Sequence, residues 1–496
     1  MSTPSPKVIQ RVIDNTQAVP DLLGGIVFVQ GITERGPIND PSKLITSWSN
    51  FQNLFGGLIE NSDFPLHCKI MLDRGCMLRV NSIKLNALKS KITLTNDEEV
   101  EPDDLFTLAS KYPGKAYNFD DEGDILGLRV TTHEPSDDEL GDFNMNVYFE
   151  GNLVETYENL KVNEIKLSQA LANSRWIELD SVEDLTVITN NLFPDFTEWD
   201  FDNGSDGDLV TDTELSNFSP FDDYEDSFCL IAPDEHSTVI HTAGVTYAEL
   251  RGDIRYYGSI PTSDDEGVII TARKELPYSK YASYTSGGFK IFDPLTGTIK
   301  NISEVSNFVA NFIQVAFTQN LWFSFSGPNS SVPGVLGPVN NFGGKSKSTE
   351  LDLLNRNHVN MAINRGGVNM FWGNFTAQRE NTHLKFISTH NLIIFIGKTL
   401  GPTLETFIEK PLDLQLFGEI FQVVRPFLEG LVAGRAIFSY DWQGDQNAPN
   451  IDSLQVNDPS DIQMGKYKIN LPITRINPLQ EIRLTIELTR AGVTIE

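Results

Sequence analysis

The segment Phe228–Pro261, FCLIAPDEHSTVIHTAGVTYAELRGDIRYYGSIP, decides the fold class. FCLIAP reads as a short apolar strand, HTAGVTYAELRGD as a helix and IRYYGSIP as a second strand. Alternation of this kind favours an α/β unit with a partly parallel sheet.

Working upstream, LGGIVFVQG (23–31) is an apolar run bounded by glycines and suits a buried strand. In SWSNFQNLFGG, Trp48, Phe51, Leu54 and Phe55 lie at helical spacing and Gly56–Gly57 stops the helix. CMLRV (76–80) reads as the next strand. Residues 1–21 are polar and proline-bearing, with only Val8, Ile9, Val12 and Ile13 as apolar points. A segment so poor in apolar residues builds no core of its own and reads as an arm. From 88 to 215 acidic runs such as NDEEVEPDD and HEPSDDELGD separate short alternating segments, MNVYFEG and EIKLS among them. This stretch reads as a separate, strand-rich, surface-exposed module. Residues 324–349 are rich in Gly, Pro and Ser and read as a long loop between domains.

Downstream, LDLQLFGEIFQVVRPFLEGLVAGR places Leu416, Ile420, Val423 or Val424, Phe427 and Leu431 on one face of an amphipathic helix that Pro426 should kink or restart. KYKINLPI and EIRLTIELTR then alternate. Ile482, Leu484, Ile486 and Leu488 face one way, as in a half-buried antiparallel strand.

A chain of 496 residues outgrows a single core, so two or three domains are expected. The formal net charge of −30 repels phosphate backbones and anionic lipid, which excludes nucleic acid and membrane surfaces as partners and suits a basic protein face. Three cysteines, Cys68, Cys76 and Cys229, are too few and too odd for a disulfide framework and fit buried packing in a reducing cytoplasm. The first residues hold no apolar signal core and no run approaches the roughly 20 residues of a membrane span.

Motifs for chemistry are missing. GGKSKST (343–349) lacks the glycine a phosphate-binding loop requires, because Val339 stands there. DFDNGSDGD (200–208) resembles a calcium loop, but Gly204 occupies a ligand position and no closing Glu follows, so an acidic turn is the better reading. His383 and His390 are too far apart for one helical turn. No catalytic, cofactor or metal residues are assigned, and the chain is read as a non-enzyme.

Several segments in order resemble the contractile tail sheath proteins of contractile phage tails, R-type bacteriocins and type VI-like injection systems. They are Arg35–Gly36–Pro37, Pro41, Phe51 with Phe55–Gly56, and Gly75 with Arg79–Val80. Further on come Leu354–Asn355 with Val359–Asn360, Trp372–Gly373 with Thr376, and Phe427–Leu428 with Leu431. The chain departs from the pattern at Phe375 and at His390–Asn391, where the family has arginines, and at Tyr440–Asp441 in place of Cys-Asp.

The resemblance implies an α/β and α+β multidomain protein. An inner domain would join the 1–21 exchange arm to a tube-facing C-terminal domain, 346–496. A middle domain would comprise 22–87 plus 216–345, and the acidic module 88–215 would be inserted outermost. It also implies strand exchange between subunits through Val8, Ile9, Val12 and Ile13 and through Ile482, Leu484, Ile486 and Leu488, and a tube-facing helix bearing Leu416, Ile420, Phe427 and Leu431. The expected function is that of a sheath subunit that polymerises helically around an inner tube and contracts to drive it through a target envelope. Its partners would be further copies of itself, the tube, and baseplate and terminator proteins, within a virion tail or a particle assembled in the host cytoplasm. The alternative is a particle protein whose acidic module binds or hydrolyses glycans.

Overall fold

A computed structural model of the chain describes residues 25–96, 102–120, 125–136, 142–184, 186, 193–233, 235–328, 331–442 and 463–476. The fold is organised by the strand Ile26–Gly31, which is buried at every position. Val27 and Val29 pack with Leu78, Val80 and Ile231 in one core, whereas Ile26 and Phe28 pack with Leu230 and Tyr256 in another. A strand alternating between two apolar cores is an interior strand of a sheet covered on both faces.

That sheet has eight strands, in the order Leu44–Ile45, Met77–Ser82, Ile26–Gly31, Cys229–Ile231, Arg255–Ser259, Ala282–Ser286, Val359–Arg365 and Val368–Trp372. The six interior strands are parallel, and Val27 stands opposite Leu78 on one side and Cys229 on the other. Only the outermost pairs are antiparallel. Helices Trp48–Phe55, Phe64–Asp73 and Val305–Thr318 cover one face; Thr238–Arg251, Glu266–Glu275 and Ser348–Arg356 cover the other. The first helix is capped by Ser47, whose side chain accepts from Asn50 N, and ends at Gly56 with φ 87°. The three cysteines are free and buried, and burial pushes the Cys76 thiol up to about 12.

The boundary that composition suggests at 345/346 falls inside this sheet. Helix Ser348–Arg356 and the hairpin Val359–Trp372 complete its far edge. The helices that follow, Ile387–Glu405 and Leu414–Ala433, share one continuous core with Val27, Phe51 and Phe308. Loop composition marks a long connection, not the end of a core. Pro426 does not break the second helix, because the carbonyl it leaves without a donor belongs to the solvent-exposed turn at Gln422.

Between Ser82 and Cys229 the chain leaves the sheet through a narrow two-stranded neck, with Leu85 opposite Asp208, Leu88 opposite Ser205 and Lys91 opposite Asp202. Beyond it, a three-stranded sheet (Lys91–Thr95, Asp104–Ser110, Ile177–Val182) packs on a four-stranded one (Leu128–His133, Phe143–Phe149, Asn152–Leu160, Glu198–Asp200) around its own core, including Phe106, Phe143, Val147 and Phe201. EIKLS, whose alternation reads as a strand, instead opens helix Glu164–Leu171. Asn163 caps it, and Leu167 and Leu171, four apart, bury its one apolar stripe. Residues 88–215 hold 31 of the 68 acidic side chains but 8 of the 38 basic ones, so most of the net charge sits on this insertion.

Gly31 meets the Phe64 ring so closely that an added Cβ would lie 2.3 Å from it. We expect Gly31→Ala to lower stability by about 1–3 kcal/mol through overpacking alone, read as a shift of the urea midpoint at unchanged slope.

Candidate assembly surface and its buried junction

Four of the sheath-like motif residues, Asn355, Asn360, Gly373 and Thr376, converge on the seam between the far edge of the large sheet and helix Ile387–Glu405. Asn360, fully buried in its strand, donates to Tyr284 O at 3.0 Å and Phe375 O at 2.9 Å and accepts from Phe375 N at 2.8 Å. Asn355, with its amide turned to suit, donates to Val359 O and Trp372 O. Gly373 has φ 131°, and a Cβ there would sit 2.7 Å from Asn360 Oδ1, so glycine is required at the turn. Thr376 donates to Leu384 O, and Asn374 O accepts from Ile387 N at the start of the helix. Backbone that no strand or helix serves is thereby satisfied by side chains.

Two of the departures from the motif, His390 and Asn391, sit beside this turn and have a structural role. His390 and Asn391 both accept from Arg255, a wholly buried arginine on the central sheet: His390 Nδ1 from Nη2 at 2.7 Å and Asn391 Oδ1 from Nε at 3.2 Å. Lys280 O and Ser283 Oγ take the remaining contacts, and no carboxylate is among them. Because a guanidinium only donates, the His390 ring proton must be on Nε2. Burial first, then the charges of Arg255 and Lys280, hold His390 down to about 2, so it is neutral. A second pin is Lys398, whose ammonium donates to Glu225 O and Ser227 O and pairs with Asp253 at 2.8 Å. Burial alone would raise the Asp253 carboxyl, but Arg251 and Lys398 together hold it below the usual range.

Beyond this junction lies an incomplete element. Ile437–Tyr440 and Ile473–Arg475 form an antiparallel ribbon of two strands, with Ile437 opposite Arg475 and Tyr440 opposite Ile473. Both outer edges lack a partner strand among the described residues. Phe438 on this ribbon is 73% exposed. Arg475 donates from Nη2 to Trp322 O and Ser388 Oγ, both at 3.3 Å. Its Nε and Nη1 are buried without a partner among the described residues, and burial lowers its pKa to about 10.

The candidate exchange residues Val8, Ile9, Val12, Ile13, Ile482, Leu484, Ile486 and Leu488 lie outside the described residues. Of the helix residues expected to face a tube, Leu416, Ile420 and Leu431 are instead buried in the core and Phe427 packs partly against it. The apolar stripe of an amphipathic helix goes to its own chain first. The face left for a partner is the opposite one, with Gln415, Glu419, Gln422, Arg425 and Glu429. Sequence reading missed Arg255 and Lys398; the available signal was a charged residue inside an otherwise apolar strand or helix.

Among the described residues of the insertion, the acids do not converge on one point. Asp200 pairs with Arg129, Asp206 with Lys84, and Asp208 accepts from Asn86, so the acids of the calcium-like stretch are spread along the neck. Among the described residues no cluster of His, Cys, Asp and Glu is arranged to hold a metal, and no helix is long and apolar enough to cross a membrane.

No protein-family model matches the sequence and no curated protein matches it. Solved structures do. The sheath tail protein of Listeria innocua aligns with a TM-score of 0.61 at 12% identity, over 84% of this chain and 86% of that one. The sheath tail protein of Desulfitobacterium hafniense gives 0.57 at 12% identity, over 89% and 91%. The helical sheath of the anti-feeding prophage in its contracted state gives 0.59 at 10% identity, over 98% and 99%. At these identities the likeness is one of fold, and it spans 84–98% of the chain.

His390 is neutral in the folded state and protonates in the unfolded chain near pH 6.5, so unfolding takes up a proton below that pH. Stability is therefore full above about pH 6.5 and falls by up to about 1.4 kcal/mol per pH unit below it for this group; His390→Gln, which keeps an acceptor for Arg255, should flatten that part of the profile in urea titrations. Lys398→Ala leaves Asp253 to Arg251 alone and removes the donor of two carbonyls, and should cost about 1–3 kcal/mol at pH 7, measured the same way.

Proposed function

We propose that this protein is the structural subunit of a contractile sheath, polymerising helically around an inner tube and contracting to drive it through a target envelope. The observation that carries the reading is the end-to-end match, over 98% of this chain, to a helical sheath in its contracted state. Nothing in the proposal requires catalysis, a cofactor or a metal; the work comes from repacking.

The two-stranded ribbon supports joining by strand addition. Isolated ribbons are marginal, and open edges accept strands from another chain. The arm residues Val8, Ile9, Val12 and Ile13 and the terminal residues Ile482, Leu484, Ile486 and Leu488 are the segments we assign to that exchange, each copy completing its neighbours' ribbons. A strand of four residues adds about four backbone hydrogen bonds at about 1 kcal/mol net each. That is enough to hold a lattice when repeated over many copies, without freezing any one contact.

In this arrangement the ribbon and the polar face of helix Leu414–Ala433 lie innermost, against the tube. The eight-stranded domain is in the middle and the acidic insertion 88–215 outermost. The tube-facing helix offers Glu419 and Glu429 against Arg425, a weakly acidic face that suits a tube with basic patches and releases it readily. Baseplate and terminator proteins would cap the two ends of the polymer, and the particle would assemble in the host cytoplasm.

Negative-stain electron microscopy of the purified chain should show hollow striated tubes, and deleting 1–21 or 477–496 should abolish them while leaving a folded monomer. Monodisperse monomers from all three proteins at high concentration would overturn the strand-addition mechanism.

A further inference from the structure

A cleft of about 740 Å³ opens where the insertion meets the antiparallel edge of the large sheet, between helix Trp48–Phe55 and the loop 172–176. Its size is that of a small-ligand site. The lining includes three cations, Lys43, Lys111 and Arg175, and no carboxylate. This reverses the sign of the surrounding module. The neighbouring cleft, across the neck, is lined instead by Glu34, Glu60, Asp206 and Asp208 against two lysines.

Lys43 and Arg175 are exposed and form no ion pair among the described residues. Lys111 reaches Glu178 only at 3.8 Å, and that carboxylate is already engaged by Lys89. Two positive charges, Lys43 and Arg175, are therefore available to a ligand, while Lys111 shares the Glu178 carboxylate with Lys89.

The same cleft carries an aromatic wall. Trp176 stacks on Phe149 with centroids 4.5 Å apart, and the Arg35 guanidinium lies 4.4 Å from the Phe149 ring on the buried side. This backing fixes the indole in place. Tyr112 stands in the lining too, and burial raises its pKa, so its hydroxyl remains a donor. Asn50, Asn53 and Asn173 add exposed amides.

Cations, a fixed aromatic face and amides together match one ligand chemistry, a sugar that carries a carboxylate. The ring's apolar face stacks on the indole, its hydroxyls bond to amides, and its carboxylate is met by Arg175 or Lys43. The carboxylates of Asp40 and Glu178 stand close enough to Tyr112 to help raise its pKa, so the free positive charge is confined to Lys43 and Arg175, which suits the single acidic end of a glycan better than a long polyanion. A glycosidase needs two carboxylates flanking the scissile bond, and the lining has none. From this we propose that the cleft between the insertion and the sheet edge binds the terminal acidic sugar of a surface glycan without cleaving it. The inference is independent of polymerisation, since the cleft is complete within one chain.

The test is isothermal titration of the full-length protein with trigalacturonate at low ionic strength, beside maltotriose as the neutral control and oligo-dT as a nucleic-acid probe. Trigalacturonate should bind, with its affinity falling as salt rises, and maltotriose should bind at least tenfold more weakly. Arg175→Glu and Lys43→Glu, both at exposed positions, should each weaken binding about tenfold with far-UV circular dichroism unchanged; if one misfolds, the other carries the test. The proposal is overturned if trigalacturonate does not bind by about 10 mM, if maltotriose or oligo-dT binds as tightly, or if the folded variants bind like the parent.

Discussion

The structure depends on an arginine buried without a counter-charge. Arg255 sits at the middle of the large sheet, fully enclosed, and its donors are met by an imidazole, an amide, a backbone carbonyl and a hydroxyl. Burying an unpaired guanidinium costs several kcal/mol unless its hydrogen bonds are made. Here they are made by residues from two different parts of the chain: the strand end near Lys280 and the helix bearing His390 and Asn391. The arrangement holds only in one relative position, because sliding the helix by a turn would strand the charge. With Lys398 reaching back to Glu225, Ser227 and Asp253 from the same helix, the sheet and the C-terminal helices are locked into one body.

Under the proposed sheath function, that locking bears on how the subunit would do work. A body that cannot shear internally transmits displacement whole, so rearrangement of a lattice built from it must occur between copies and not within them. The ribbon of Ile437–Tyr440 and Ile473–Arg475 is one place in the described residues where both strands leave an outer edge unpaired, and in the proposed sheath it is the one assigned to strand addition. Rigidity within the body and openness at the ribbon are complementary requirements. A linked polymer needs firm units and joints that survive a change of spacing.

Much of the fold was legible in the sequence because its core strands have no ambiguity. IVFV between glycines, CLIA before a helix and RYYGS after it are buried on both faces and are read directly from their apolar runs. Short amphipathic segments were not legible in the same way. EIKLS supports both periods over five residues, and only the Asn163 cap and the Leu167–Leu171 spacing decide for helix. The domain boundary at 345/346 misled for a different reason. Gly, Pro and Ser content reports where the chain turns, not where a sheet ends, and the hairpin after the loop returns to the same sheet. For helix Leu414–Ala433 the same distinction applies, since Leu416, Ile420 and Leu431 pack into the chain's own core. The pattern gives an apolar face correctly but not which body that face belongs to. The motif residues Asn360, Gly373 and Thr376 are spaced along the sequence for geometric reasons visible only once the turn they build is seen.

The placement of charge follows from the neck. The insertion leaves and rejoins the sheet through strands that face each other at Leu85 and Asp208, so its surface adds little to the body it grows from. A sandwich with its own core can then bear 31 acidic side chains against 8 basic ones without weakening the sheet domain. Those charges meet water on most sides, where repulsion between them is screened over roughly 10 Å at ordinary ionic strength. In the proposed sheath, with the insertion outermost, such modules would keep neighbouring polymers apart, which solubility of a large assembly requires. Against that background the cation-lined cleft beside Trp176 is the exception. A field this negative would draw Lys43 and Arg175 into ion pairs wherever geometry allowed, and their freedom among the described residues marks the cleft as a place where positive charge faces outward.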